Sequence, residues 1–340
     1  MDKVKVGICG ATGYSGMELL KLIERHRYAE VVFLTSESKA GTTVLAGEPS
    51  LTGYLDRTFL SSEDPSIYGK ADIVFLCLPH EASAKAAPKF LDAGAKVIDL
   101  SAAYRIEDIV LFENIYKFTH PSPELINGAV YGLSEIYTEQ IRRAKLIANP
   151  GCYPTGILLP LIPLLKDGTI KSDNFIADSK SGLSGAGRKS VSERMFVEMN
   201  ENFYAYNIGT HRHRPEIAQE LSKAAGKPVK ITFTPHVLPI DRGILSTIYV
   251  ASDTDIKDQA LDKLEDFYRD MPFVKVYRDT LPQLKWAAYT NYDLIGAQYD
   301  KETGYLVIVS VIDNLIKGAA GQALHNMNLM SGFSETEGLI

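Results

Sequence analysis

The chain has 340 residues, of which 45% are hydrophobic and 23% charged, and its formal net charge is −6. This composition is typical of a soluble globular protein and excludes a fibrous or wholly disordered chain. No block of basic residues indicates nucleic acid or anionic lipid as a partner, so we expect a small molecule. Three scattered cysteines are too few for a disulfide framework and fit a reducing cytoplasm. We expect neither secretion nor membrane insertion, because Pro160 and Pro163 interrupt the longest apolar run.

The first half of the chain alternates strand-like and helix-like runs. Residues 4–9 predict a buried strand, residues 10–16 a glycine-rich turn, and residues 17–23 a helix. Strand-like runs follow at 29–35, 71–78 and 96–100, with a helix-like run at 82–92 between the last two. Such alternation predicts a Rossmann-type, doubly wound parallel sheet over residues 1–148.

The pattern changes after Asn149-Pro150-Gly151. A helix is predicted at 155–165, and another near 256–268. Strand-like runs occupy 229–237, 243–251 and 304–311. We therefore predict a second, α+β domain with a mainly antiparallel sheet over residues 149–313. The tail is helical by spacing at 318–329, and a C-terminal helix over residues 314–340 is expected to complete the first domain.

The glycine-rich turn is the first motif that indicates chemistry. Gly10, Gly13 and Gly16 would let the backbone approach a pyrophosphate at the N-terminus of the following helix. Their spacing is a variant of the standard Gly-x-Gly-x-x-Gly, so an ordinary tight turn is the alternative. We predict a dinucleotide site that also includes Thr12, Tyr14 and Ser15.

The end of the second strand bears on the choice of cofactor. Ser36 and Ser38 could donate hydrogen bonds to a 2′-phosphate, and Lys39 could supply charge. Glu37 would instead suit the 2′-hydroxyl of NAD. We predict NADP(H), although a solvated polar loop explains each of these side chains nearly as well.

The three cysteines stand in different contexts. Cys9 and Cys77 lie in apolar strand-like runs, where a thiol usually behaves as a small buried hydrophobe. Cys152, in Asn-Pro-Gly-Cys-Tyr-Pro-Thr, follows a sharp turn and precedes a helix. The positive end of a helix lowers the pKa of a thiol, and its amides can hold an oxyanion. Cys152 is thus a candidate nucleophile, with an exposed turn cysteine as the alternative.

Residues 209–217 contain a His-x-His pair. In an extended segment His211 and His213 would share one face, with Glu216 near enough to orient an imidazole. Histidine can act as acid and base near neutral pH. A metal site competes, but no further cluster with metal-ligand spacing accompanies the pair, so we predict no metal. A basic surface loop is the simplest alternative.

A second glycine- and serine-rich loop covers residues 181–189. Its amides, with Arg188 and Lys189, could form an anion-binding concavity. The loop lacks the Gly-Lys-Ser/Thr ending of a P-loop, so ATP hydrolysis is not predicted. A flexible linker is the alternative.

Taken together, these segments resemble the N-acetyl-gamma-glutamyl-phosphate reductases of arginine biosynthesis, relatives of aspartate-semialdehyde dehydrogenase. Asn-Pro-Gly-Cys-Tyr-Pro-Thr combined with His-Arg-His-x-Pro-Glu is the most specific part of the likeness. The resemblance covers essentially the whole chain; its other motifs are the glycine-rich turn and residues 99–105, 181–188, 233–236, 242–244, 313–315 and 317–323.

The resemblance implies a role for each motif. Cys152 matches the family nucleophile and His213 the acid/base, with His211 and Glu216 as supports. Ser181, Gly182 and Asn314 match positions near the nicotinamide. Arg105 and Arg188 are candidates for anchoring substrate anions. The implied reaction is NADPH-dependent reduction of N-acetylglutamyl 5-phosphate through a cysteine thioester, in a homo-oligomer such as a dimer or tetramer.

Three alternatives remain at this stage. A reductase for N-acetyl-aminoadipyl phosphate, in lysine biosynthesis, would keep the same catalytic residues. A redox-inactive nucleotide sensor would keep only the glycine-rich turn. A His-x-His metal hydrolase would be indifferent to NADPH.

Overall fold

The computed structural model describes residues 3–188 and 195–340. The chain divides into two compact units, Met1–Gly151 with Ala319–Ile340, and Cys152–Gly318. No helix within the described ranges has the length and apolar character needed to cross a bilayer.

The elements are named in chain order. The strands are β1 (Val4–Cys9), β2 (Ala29–Thr35), β3 (Ile73–Leu76), β4 (Lys96–Asp99), β5 (Val130–Tyr131), β6 (Leu146–Ala148), β7 (Asn174–Gly182), β8 (Tyr204–Ala205), β9 (Lys230–Leu238), β10 (Ile244–Ala251), β11 (Val274–Tyr277), β12 (Asp293–Asp300) and β13 (Tyr305–Ile312). The α-helices are α1 (Tyr14–Glu24), α2 (Val44–Gly47), α3 (His80–Asp92), α4 (Ile109–Tyr116), α5 (Thr138–Arg143), α6 (Cys152–Lys166), α7 (Phe196–Met199), α8 (His213–Ala225), α9 (Lys257–Tyr268), α10 (Leu284–Ala287) and α11 (Gly321–Ser331). A π-helical turn covers Ile316–Ala320.

The first unit contains a six-stranded sheet in the order β2-β1-β3-β4-β6-β5. Every strand pair is parallel, as the alternation of strands and helices predicts. All four residues of β3 are buried, because strands of a parallel sheet are covered on both faces. The chain returns to this unit at its C-terminal end, where the Gln322 and Asn326 side chains donate hydrogen bonds to the Gly132 carbonyl.

The second unit contains a seven-stranded sheet in the order β11-β12-β13-β10-β7-β9-β8. Four of its strand pairs are antiparallel and two are parallel, so the sheet is mixed and mainly antiparallel. Helix α6 is buried from Tyr153 to Leu165 although it contains Pro160 and Pro163. The helix is therefore held by the packing of its apolar side chains rather than by helix propensity.

Two predictions from the sequence are wrong in detail, and one strand is missing from them. Residues 209–217 are not extended, because helix α8 begins at His213. The tail is not one helix over residues 314–340, since a π-helical turn precedes α11, which ends at Ser331. The predicted boundaries also shift, because the first unit extends to Gly151 and resumes only at Ala319. Strand β12 was not predicted, although its hydrogen bonds to β13 run along its full length.

Candidate active site

The glycine-rich turn has the backbone geometry of a phosphate-binding turn. Gly10 has a φ of +83°, and a Cβ atom there would lie 2.3 Å from the Cys77 carbonyl oxygen. A Cβ on Gly16 would lie 2.5 Å from the Gly10 carbonyl oxygen, so only glycine lets α1 pack this closely on the turn. A Cβ on Gly13 would meet only the Gly10 oxygen, at 3.5 Å, and space for a ligand is left beside it. Tyr14 and Ser15 open α1. The turn fits a pyrophosphate.

The end of β2 is joined to this turn. The Thr12 and Ser36 hydroxyls lie 2.9 Å apart, and Ser36 is buried whereas Ser38 is exposed. The Ser62 amide donates to the Glu37 carboxylate at 2.6 Å, and this hydrogen bond lowers the pKa of Glu37. Lys39 donates to the Gly47 carbonyl at 2.6 Å. The side chains of Glu37 and Lys39 are thus both fixed by hydrogen bonds to the backbone. Of the two serines, only Ser38 is exposed to solvent.

The segment after β4 contains the first arginine predicted to bind substrate. Arg105 is buried, and its Nη2 donates to the Leu100 carbonyl at 2.8 Å. Asp99 accepts hydrogen bonds from the amide and hydroxyl of Ser101, at 3.0 and 2.8 Å. Burial raises the pKa of Asp99. These bonds fix the loop that carries Arg105.

Cys152 is the first residue of α6 and is partly buried. The first turn of a helix directs its backbone N–H groups and its positive dipole end toward this position. The other two cysteines differ, since burial raises the pKa of both Cys9 and Cys77 and disfavours their thiolates. Among the described cysteines, Cys152 is therefore the one whose place suits a nucleophile.

Tyr153 connects the start of α6 with the two histidines. Its ring makes edge contacts with His211 and His213, at centroid distances of 5.5 and 5.9 Å. Its hydroxyl lies 3.0 Å from the Tyr206 hydroxyl and donates to the His236 carbonyl at 3.3 Å. Burial raises the pKa of Tyr153 far above its ordinary value, so the phenol stays neutral. The residue next to Cys152 is thereby fixed against both imidazoles.

His211 and His213 are close together but differ in their hydrogen bonds. Their ring centroids are 4.9 Å apart. The His211 Nδ1 accepts a hydrogen bond from the His213 amide at 3.1 Å, at the first residue of α8. Burial, aided by Arg212, lowers the pKa of His211 to about 4. His211 is therefore neutral at physiological pH, with its proton on Nε2, and it holds the start of α8.

Glu216 lies one turn after His213 on α8 and is completely buried. Side chains three positions apart on a helix share a face, so helical rather than extended geometry places Glu216 beside His213. The first turn of α8 thus carries both His213 and Glu216.

Ser181, Gly182 and Asn314 come together at the end of β7. Asn314 accepts a hydrogen bond from the Gly243 amide at 2.6 Å and donates to the Ser184 hydroxyl at 3.0 Å. The Gly182 amide donates to the Gly243 carbonyl at 2.9 Å. A Cβ on Gly182 would lie 2.7 Å from the Arg242 nitrogen, so a side chain would clash with this loop. The Ser181 hydroxyl donates to the Gly182 carbonyl at 3.0 Å, so the three buried positions belong to one connected hydrogen-bond network of the second unit.

The glycine- and serine-rich loop at residues 181–189 contains two cationic residues, Arg188 and Lys189. Arg188 is exposed at the end of the described part of this loop, and Lys189 lies outside the described residues. In the two described ranges, no group of three or more His, Cys, Asp and Glu side chains could hold a metal ion.

Comparison with known proteins gives the family. Residues 5–144 match the model of the semialdehyde dehydrogenase NAD binding domain, and residues 152–314 match that of the semialdehyde dehydrogenase dimerisation domain. The N-acetyl-gamma-glutamyl-phosphate reductase of Pelotomaculum thermopropionicum is 48% identical over 99% of this chain and 97% of its own length. That of Geobacter metallireducens is 47% identical over 99% and 98%. The chain belongs to the N-acetyl-gamma-glutamyl-phosphate reductase family.

Solved structures that are less similar in sequence than these relatives have the same fold as this chain. Aspartate semialdehyde dehydrogenase II from Vibrio cholerae, complexed with ASA, is 20% identical with a TM-score of 0.74, over 98% of this chain and 99% of its own. The Candida albicans aspartate semialdehyde dehydrogenase with NADP has a TM-score of 0.70 at 15% identity, over 97% and 99%. The predicted family and fold class are confirmed, and the first unit is a nicotinamide-dinucleotide-binding domain.

Two residues of the candidate site were not predicted from the sequence. Tyr153 lies within the cysteine motif, and an aromatic residue next to a candidate nucleophile is a signal for a packed neighbour. Gly243 follows Arg242 and has a φ of +107°, a conformation that favours glycine. Its contacts with Gly182 and Asn314 join segments distant in sequence, which no local pattern indicates.

Proposed function

We propose that this protein reduces N-acetyl-L-glutamyl 5-phosphate to N-acetyl-L-glutamate 5-semialdehyde and phosphate, with NADPH, in arginine biosynthesis. The observation that carries the proposal is the start of α6, where Cys152 precedes the tyrosine that packs on His211 and His213. Relatives that are 46–48% identical over nearly the whole chain bear the corresponding name.

The first half of the reaction forms a thioester on Cys152. His213 takes the thiol proton, and the thiolate attacks the acyl carbon of the substrate. The amides of the first turn of α6 stabilise the resulting oxyanion. The C–O bond to the phosphate then breaks, and His213 returns the proton to the departing phosphate.

The second half releases the aldehyde. When bound, NADPH would supply the hydride that reduces the thioester carbonyl. The alkoxide of the thiohemiacetal collapses to the aldehyde, the C–S bond breaks, and the sulfur leaves as the Cys152 thiolate. His211 stays neutral and keeps His213 at the helix start.

The remaining predicted residues bind the cofactor and the substrate. The pyrophosphate is held by the glycine-rich turn, which consists of Gly10, Thr12, Gly13, Tyr14, Ser15 and Gly16. Ser36 and Ser38 face the 2′-phosphate. Ser181, Gly182 and Asn314 contact the nicotinamide, Arg105 and Arg188 bind substrate anions, and Glu216 supports His213. A nucleophilic thiol of this kind fits the reducing cytoplasm.

The experiment that tests this function is the reverse assay. N-Acetylglutamate 5-semialdehyde, phosphate and NADP are supplied, and reduced cofactor is followed by absorbance. We expect phosphate-dependent reduction that Cys152→Ser abolishes and Cys77→Ala retains. The same assay with N-acetyl-aminoadipate semialdehyde tests the alternative substrate, whose carbon chain is longer. A higher kcat/KM for this compound than for N-acetylglutamate 5-semialdehyde would overturn the proposed substrate.

We further propose that the protein is a homo-oligomer assembled through the outer face of the second sheet. On this face Ile176, Tyr249, Tyr305 and Val307 line an apolar groove of about 360 Å³. An exposed apolar groove rimmed by polar residues is typical of an interaction surface. Residues 152–314, which include this face, match the dimerisation domain model.

A further inference from the structure

The π-helical turn at Ile316–Ala320 passes unusually close to Cys152. A Cβ atom on Gly318 would lie 2.8 Å from the Cys152 Cβ and 3.2 Å from its Cα, closer than packed side chains allow. The Gly318 backbone therefore lies directly against the first residue of α6. Because the obstacle is backbone and a Cβ atom rather than a flexible side-chain end, the neighbour has little freedom to move aside.

The turn is anchored before Gly318 and at Gly318 itself. Before it, the Asp313 carboxylate accepts hydrogen bonds from the Leu315 and Ile316 amides, at 2.8 and 3.1 Å. The Gly318 amide donates to the Asp313 carbonyl at 2.9 Å, which is the i to i−5 bond of a π-helix. Lys317 is fully buried, with its Nζ 5.7 Å from the Phe273 ring centroid. The turn cannot easily retreat from α6.

The helix is packed just as closely from the sheet side. A Cβ on Gly156, one turn after Cys152, would lie 3.1 Å from the Ser310 hydroxyl oxygen. Ile312, at the end of β13, lies between the two glycines, with its Cδ1 3.8 Å from the Gly156 position and 3.3 Å from the Gly318 position. The start of α6 is thus confined by β13 and by the π-helical turn.

We propose that Gly318 is a positioning residue for the Cys152 thiol: its lack of a side chain lets the π-helical turn fix the Cα–Cβ bond of the nucleophile. This inference rests on the proposed function of Cys152. A side chain at residue 318 pushes the first turn of α6 away, and the sulfur leaves its place relative to the helix amides and the substrate. A misplacement of about 1 Å can lower a rate about a hundredfold.

The test compares Gly318→Ala with Gly128→Ala, a control at a glycine with open space around it and no positive φ. We expect Gly318→Ala to lower kcat of the reverse assay about a hundredfold. The pH profile of Cys152 alkylation by iodoacetamide should move to higher pH, because the sulfur moves away from the helix amides. Gly128→Ala should change neither quantity.

A second background keeps the test informative if Gly318→Ala is unstable. Cys152→Gly removes the Cβ that a residue-318 side chain would strike, so the loss of Tm caused by Gly318→Ala should be smaller in that background. The proposal would be overturned if Gly318→Ala lowered Tm equally in the wild-type and Cys152→Gly backgrounds, or if it prevented folding in both. It would also be overturned if Gly318→Ala alone kept the wild-type kcat and the wild-type pH profile of alkylation. If wild-type enzyme lacks the reverse activity, the proposed function fails, whereas alkylation and Tm still test the role of Gly318.

Discussion

At the scale of single residues, the environment of each side chain distinguishes the two histidines. His211 is partly buried against aromatic rings and accepts a backbone hydrogen bond, and this burial lowers its pKa to about 4. A group that remains neutral through the physiological range cannot supply a proton there. This difference supports our proposal that His213, rather than His211, transfers the proton.

The first prediction separates the histidines by their effects on rate and stability. His213→Ala should lower kcat/KM about a hundredfold or more, because it removes the group that transfers the proton. His211→Ala should retain most of the activity and cost about 1 kcal/mol of unfolding free energy, since it removes the acceptor at the start of α8. Steady-state kinetics and urea unfolding check both. The reverse pattern would exchange the roles.

The second prediction concerns the 2′-phosphate. Ser38→Asp places a carboxylate where we propose this phosphate binds, so KM for NADPH should rise about tenfold while KM for NADH changes less than about twofold. Glu37→Gln is the matched control, because its loss of negative charge should instead lower KM for NADPH. Equal effects of Ser38→Asp on both cofactors would place the 2′-phosphate elsewhere.

At the scale of elements, the strongly patterned segments could be predicted and the tertiary contacts could not. The strand, glycine turn and helix at residues 4–24 follow from local spacing. The start of α8 is not predicted from the sequence because His-x-His fits a two-residue period, whereas the helix is stabilised by the hydrogen bond from the His213 amide to His211 and by the buried Ile217 and Leu221. The position of Gly318 against Cys152 depends on contacts between residues distant in sequence, which no local pattern contains.

The C-terminal segment gives the third prediction. Arg27 binds the Glu337 carboxylate through its amide and Nε, at 2.9 and 3.0 Å, and this lowers the pKa of Glu337 from 4.5 to about 2. Because the folded pKa is depressed, the stabilisation is complete above the unfolded value and is lost as pH falls from about 4.5 to about 2.

Glu337→Gln should therefore lower the urea midpoint at neutral pH, and the gap from wild type should close as the solution is acidified through that range. The exposed pair of Glu81 and Lys85 provides the control. Glu81→Gln should change the unfolding free energy by less than about 1 kcal/mol. A Glu337→Gln gap that stays constant with pH would contradict the linkage.

At the scale of the whole molecule, the outer face of the second sheet gives the fourth prediction. In β10 the residues Ile244, Ser246 and Ile248 are buried, and the alternate residues, including Tyr249, face outward. Tyr249→Asp places a charge in the apolar groove, so we expect it to dissociate the oligomer into 37.5 kDa chains.

Light scattering after size-exclusion chromatography checks the mass. Gln259→Asp, at an exposed position of α9, is the control and should keep the wild-type mass. A wild-type protein of 37.5 kDa would contradict assembly. An unchanged oligomer in folded Tyr249→Asp would show that this face is not the interface.

The central claim is that catalysis passes through a thioester on Cys152, and a burst experiment without phosphate tests it most directly. The enzyme is mixed with N-acetylglutamate 5-semialdehyde and NADP, and reduced cofactor is followed by absorbance. We predict a rapid burst of one NADPH per chain, turnover once phosphate is added, and no burst in Cys152→Ser. Absence of a burst from active wild-type enzyme, or an equal burst from Cys152→Ser, would contradict the thioester.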